Sequence, residues 1–227
     1  MTLSIWEPRD KTRPVRKLYK DGKKVAIDWS LYWREVKAYK NEEITLSLIK
    51  ELKSKVIEKD LNVCLGTNSP KDEMVNDINE FRRTKASLKN EDRNWVLLDC
   101  DKCYPEVHPQ MSTRERVKVL EDRLPILRRQ GLVAWPSSSG YFLDDSIDEK
   151  ETGLSKHHRL NLHIFILMDK PESADTIKRF LKSHEDHLDI SLGRISQPHI
   201  IANPIFENTP KHTYPGQDIY LREEGEC

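Results

Sequence analysis

The chain has 227 residues, 33% of them charged and 37% hydrophobic, with 38 basic residues balanced by 38 acidic ones. That length supports one large domain or two small ones, and the five tryptophans and the apolar content argue against wholesale disorder despite a mean hydropathy of −0.73. Zero net charge argues against a protein that coats nucleic acid through a global basic field, while leaving room for a carboxylate-centred site facing a local basic groove. Cys64, Cys100, Cys103 and Cys227 lack disulfide-framework spacing, no secretory leader pattern heads the chain, and no apolar run is long enough to span a bilayer. The expected setting is therefore reduced and cytoplasmic, with no membrane partner.

The first forty residues interleave basic side chains (Arg9, Arg16, Lys17, Lys20, Lys23, Lys24) with aromatics (Trp6, Tyr19, Trp29, Tyr32, Trp33, Tyr39). Such a segment suits single-stranded nucleic acid, where bases stack and phosphates pair; it equally suits an arm packed on the core through its tryptophans. Ile44, Leu48, Leu52 and Val56 recur at helical spacing and predict an amphipathic helix over 41–58. Residues 66–72 read as a loop, Val75–Phe81 as a short helix, and Trp95–Cys100 as a buried strand. Ser112 and Glu115 form a capping box opening a helix that carries Val117, Leu120, Leu124 and Leu127, which Pro125 kinks or breaks. Leu132–Trp135 reads as a strand running into a Ser-rich turn, 143–157 as an exposed loop, and Leu160–Met168 as the clearest strand. Ser173 opens another helix, Ile195–Ala202 reads as a last core strand, and the tail beyond Pro204 is rich in turn residues. Strands separated by helices without a regular alternation indicate an α+β fold with helices on one face of a sheet.

Four segments carry chemistry. In Leu97-Leu98-Asp99-Cys100-Asp101, strand alternation sends both aspartates to one face and Cys100 to the other. Adjacent carboxylates repel, and an oxygen-preferring divalent cation relieves that repulsion; a solvated surface turn also accounts for the pattern. In the strand 159–168, Asn161, His163 and Phe165 share a face, and His163 is either a satisfied core histidine or a hydrogen-bond donor to phosphate. Asp189, between Leu188 and Ile190, is expected to be buried, where it caps, pairs with Arg194, or completes a three-carboxylate site. The turn Ser137–Gly140 is an ordinary turn or a phosphate-contacting loop.

In this order the segments resemble the archaeo-eukaryotic primase superfamily, with its acid-x-acid pair, histidine strand and hydrophobic-acid step, over about residues 82–206. The stretch from Asp101 to His163 is longer than in compact members, and the tail through Gln197-Pro198-His199 is similar to primase-polymerase domains of plasmids, phages and integrated elements. The resemblance implies an RRM-like antiparallel sheet flanked by helices. Residues 1–80 are then a helical, basic region packed on a catalytic core of 81–227, the whole forming one integrated domain. It implies that Asp99, Asp101 and Asp189 are catalytic and hold one or two Mg²⁺ or Mn²⁺ ions. His163, with Ser139, Gly140, Arg159 and Arg194, would contact the nucleotide. The substrates would be NTP or dNTP and a single-stranded DNA template, with a helicase domain or protein as a further partner. No structural zinc is expected: Cys100-x-x-Cys103 has His108 as its only obvious third ligand, and Cys100 faces the core.

Two rivals remain in view. An HUH-type replication initiator or relaxase endonuclease normally has a His-hydrophobic-His strand and a helical tyrosine, whereas this strand reads Asn161-Leu162-His163. A non-catalytic single-stranded-DNA-binding replication module leaves the Asp99/Asp101 strand unexplained.

Overall fold

The computed structural model describes residues 2–10, 15–25, 30, 32–76, 79–137, 147–148, 153–194, 196–209 and 219–223. The N-terminal part contributes β1 (Leu3–Pro8), β2 (Leu18–Lys20), β3 (Lys23–Val25), β4 (Tyr32–Tyr39), helix α1 (Leu46–Glu58), β5 (Cys64–Thr67) and β6 (Glu80–Arg82). There follow β7 (Arg93–Cys100), helix α2 (Thr113–Arg123), β8 (Leu132–Pro136), β9 (Ile147–Asp148), β10 (Leu154–Ser155), β11 (Leu162–Glu172), helix α3 (Ala174–Ser183), β12 (His199–Ile200), β13 (Ile205–Glu207) and β14 (Tyr220–Arg222). The fold is α+β. Among the described residues, no helix is long and apolar enough to cross a membrane.

The sheet that carries Asp99 and His163 runs β14-β8-β11-β7, antiparallel at each step. β11 is slotted between β7 and β8, so β7–α2–β8 is a split β-α-β unit. β14 pairs on the far side of β8. A second sheet runs β12-β5-β1-β4-β6, and a third runs β13-β2-β3, with β13 parallel to β2. Trp95 on β7 joins the layers: its ring stacks on Phe165 at 5.3 Å, meets His199 of β12 edge-on, and its indole N–H donates to the Thr2 carbonyl at 3.2 Å. Leu97, Leu98, Leu162, Ile164 and Phe165 lie at the centre of the core.

Local chemistry accounts for the helices. Thr45 accepts from the Leu48 N–H to start α1, Ser112 and Glu115 close the capping box on α2, and Ser173 caps α3. Pro125 cannot continue α2, and residues 125–129 form a 3-10 turn instead.

Several elements differ from expectation. Residues 1–80 are not mainly helical: α1 is embedded among five strands. The strands alternate only where a partner covers one face, as in β4, where Trp33 and Tyr39 are buried beside exposed Arg34 and Lys37. The helix expected over Val75–Phe81 is replaced by a 3-10 turn at Asp72–Met74 and by β6, whose backbone pairs with β4. Gly66 and Thr67 belong to β5, and any Cβ at Gly66 would run into the Trp6 indole, so the glycine is what lets the ring lie against the strand. The last core strand shrinks to His199–Ile200, which pairs with β5, and the turn-rich tail contains β13 and β14. Part of the expected loop at 143–157 is the β9–β10 pair.

Candidate active site

β7 and β11 run antiparallel with Asp99 opposite His163, and β8 places Trp135 opposite His163 on the other side. Trp135, His163 and Asp99 thus form one row across three strands. One step beyond the pairings of Leu162 with Cys100 and Pro136, just past the strand ends, Ser137, Asn161 and Asp101 come together as a second row. The Ser137 N–H donates to the Asn161 carbonyl at 2.7 Å, and Ser137 Oγ donates to Asp101 Oδ1 at 3.1 Å. The acid-x-acid pair is therefore part of a polar grid at the end of the central sheet. Cys100 is fully buried on the opposite face, where burial and the two neighbouring carboxylates push its thiol up and keep it protonated.

The two carboxylates experience different surroundings. Burial raises Asp99, but the neighbouring His163 and then Lys17 outweigh it and hold the carboxyl below its ordinary value. Asp101 moves the other way: burial first, and the charge of Asp99 second, raise it above the ordinary value against Lys17, His163 and the Ser137 hydroxyl. His163 Nε2 lies 3.5 Å from Asp99 Oδ1, too long for a well-made hydrogen bond, so that buried oxygen lacks a donor. His163 Nδ1 is likewise buried without a partner.

Asp189 departs from its expectation. It is exposed, because Leu188 goes into the core while the chain turns outward at Ile190, which is 39% exposed. Its carboxylate caps the 3-10 turn 190–193, accepting from the Ser191 N–H at 2.7 Å and the Ser191 hydroxyl at 2.9 Å. The capping role foreseen for it is what is observed, and Ser191 rather than Arg194 supplies the donors. Its backbone N–H nevertheless donates to the Asp99 carbonyl at 2.9 Å, fixing the turn against β7. Asp101, Lys102, Arg159, Glu185 and Asp189 line one pocket of about 420 Å³. Arg159 is thus brought to the site, whereas Arg194 is exposed and outside the lining of this pocket. Ser139 and Gly140 lie outside the described residues. Among the described residues, no group of three or more His, Cys, Asp or Glu side chains gathers in a way that could hold a metal ion.

Sequence reasoning did not single out some of the participants. Lys17 and Lys24 come from the β2–β3 hairpin, where Tyr19 pairs with Lys24 and alternation puts Lys17 on the same face. Both aspartates experience the charge of Lys17, and Lys24 experiences both carboxylates, Lys17 and Arg159; its own ammonium is lowered, chiefly by partial loss of solvent, and then by Lys17. These lysines stood in the basic N-terminal segment without anything local to separate them from its other cations. His199, fully buried with both ring nitrogens unpartnered, is driven down to about 3 by burial and the charge of Arg93, and so is neutral. Comparison of the chain with family models, curated proteins and solved structures gives no match.

Proposed function

We propose that the protein is a template-dependent nucleotidyltransferase, a primase-polymerase of the archaeo-eukaryotic primase type built on an RRM-like core. The observation that carries this reading is the register that sets His163 beside Asp99 and brings Asp101 to the same end of the sheet. The four-stranded sheet with β11 between β7 and β8 supports the RRM-like assignment; β14 beyond β8 is this chain's own arrangement.

The residues fit a divalent cation, because two adjacent half-buried carboxylates repel and Asp99 Oδ1 has no protein donor. Asp99 and Asp101 would hold Mg²⁺ or Mn²⁺, with Asp189 on the wall of the pocket that Asp101 lines. Such an ion supplies positive charge that favours ionisation of the attacking hydroxyl and neutralises the triphosphate. The reaction joins a 3′-hydroxyl oxygen to the α-phosphorus of an NTP or dNTP on a single-stranded DNA template and releases pyrophosphate. His163 donates a hydrogen bond to the triphosphate from within the Asp99 row. Lys17, Lys24, Lys102 and Arg159 face the same region with positive charge and orient the phosphates there.

The test is incorporation of labelled nucleotides of each sugar type on a single-stranded template with Mg²⁺ or Mn²⁺. Asp99→Ala/Asp101→Ala abolishes incorporation while leaving the fold and much of the DNA binding intact. Unchanged incorporation by that double variant overturns the assignment.

A further inference from the structure

We infer that the amide oxygen of Asn161 is the third protein oxygen of the cation site formed with Asp99 and Asp101, an inference that rests on the metal-dependent reading above.

Asn161 occupies the middle of the second row of the polar grid. Leu162 pairs with Cys100, so the next residue pair in the register brings Asn161 opposite Asp101. Its carbonyl accepts the Ser137 N–H, and the Ser137 hydroxyl in turn donates to Asp101, so the three residues are tied together. The residue is 8% exposed, and its Oδ1 is buried without a hydrogen-bond partner. A buried amide oxygen left unpaired is costly, and Asp99 Oδ1, opposite His163 two residues further along β11, is a second buried oxygen without a hydrogen-bond partner. Two orphaned oxygens and the Asp101 carboxylate, brought near one another by the pairing of β7 with β11, share one chemical need, which is a hard cation.

The backbone supports the same reading. Asn161 has φ +50°, in the left-handed region, which asparagine tolerates better than most residues. This conformation lets the chain enter β11 directly from the residue whose carbonyl accepts the Ser137 N–H. Asp189 is a poorer third ligand, since it is exposed and both its oxygens already accept from Ser191.

The experiment titrates Mn²⁺ alone into the full chain by calorimetry, without nucleotide or template. Asn161→Gly keeps the left-handed backbone accessible and removes the amide, and it weakens Mn²⁺ binding about tenfold, the scale of one lost contact at a metal site. Asn161→Asp keeps an oxygen at nearly the same volume and binds Mn²⁺ at least as tightly as the wild type. An amide turned the other way, donating its NH₂ to Asp101, predicts the opposite order, with the aspartate variant binding more weakly than the glycine variant. Circular dichroism verifies that each variant is folded, and the isosteric aspartate variant decides the matter if the glycine variant is not. Wild-type Mn²⁺ affinity in Asn161→Gly together with its loss in Asp99→Ala/Asp101→Ala overturns this inference and leaves the carboxylate site standing. Wild-type affinity in both overturns the carboxylate site as well.

Discussion

Lys53 lies on the buried side of α1, 4% exposed, and donates to the Ile201 carbonyl at 2.7 Å. Burial lowers its ammonium from 10.5 to about 8. Below that value both folded and unfolded chains carry the proton, and the burial cost is constant. Between about 8 and 10.5 the unfolded chain keeps a proton that the folded chain has released, so this residue makes stability rise with pH. The full rise is about 3 kcal/mol, at about 1.4 kcal/mol per unit. The buried thiols of Cys64 and Cys100, pushed upward, act in the opposite direction at alkaline pH. The difference between wild type and Lys53→Met therefore isolates the lysine. Urea midpoints measured from pH 7 to pH 10.5 should show wild type gaining about 3 kcal/mol on the variant, and parallel profiles would refute the buried ammonium. The lysine pins Ile201, two residues from His199, and so links α1 to the segment that carries a buried imidazole near Asp99.

At the scale of elements, short strands depend on side chains that fasten them. β14 has three residues, and Arg222 anchors it by donating to the Gln130 carbonyl at 3.0 Å and 3.2 Å, to the Leu127 carbonyl, and to the Glu121 carboxylate of α2. Glu121 and Arg222 are both buried. Arg222→Met strands a buried carboxylate and should cost about 3 kcal/mol or more in chemical denaturation. Adding Glu121→Leu should restore most of that loss, because the apolar pair no longer carries an unpaired charge. Failure of the second substitution to recover stability would mean that the carbonyl contacts, not the ion pair, hold β14. By contrast α2 and α3 announce themselves, since Ser112, Glu115, Pro125 and Ser173 act within one or two turns of where they stand.

At the scale of the whole molecule, the two ends of the chain are interleaved. β12 pairs with β5, β13 pairs with β2, and Trp95 donates to Thr2, so a cut near residue 80 removes partners from both sides. A fragment of residues 81–227 should therefore lack a cooperative thermal transition and the near-ultraviolet signal of a packed Trp95. A sharp transition in that fragment would show that the central sheet is self-sufficient. The interleaving also brings the β2–β3 hairpin, and with it Lys17 and Lys24, to carboxylates more than seventy positions away.

The chain by itself determined the features whose causes are local. The spacing of Asp99 and Asp101 on either side of Cys100 indicated a common face for the carboxylates, the apolar run around His163 fixed a buried strand, and the caps fixed two helix starts. Only the tertiary structure decided what depends on distant partners. It turned Asp189 outward to cap its own turn, because the neighbouring leucine satisfied the core while Ser191 satisfied the carboxylate. It converted the N-terminal segment from an expected helical region into strands, since a two- or three-residue strand is stable only when another backbone supplies its hydrogen bonds. It also placed Asn161 between Ser137 and Asp101, a meeting set by the register of three strands and invisible in any one of them.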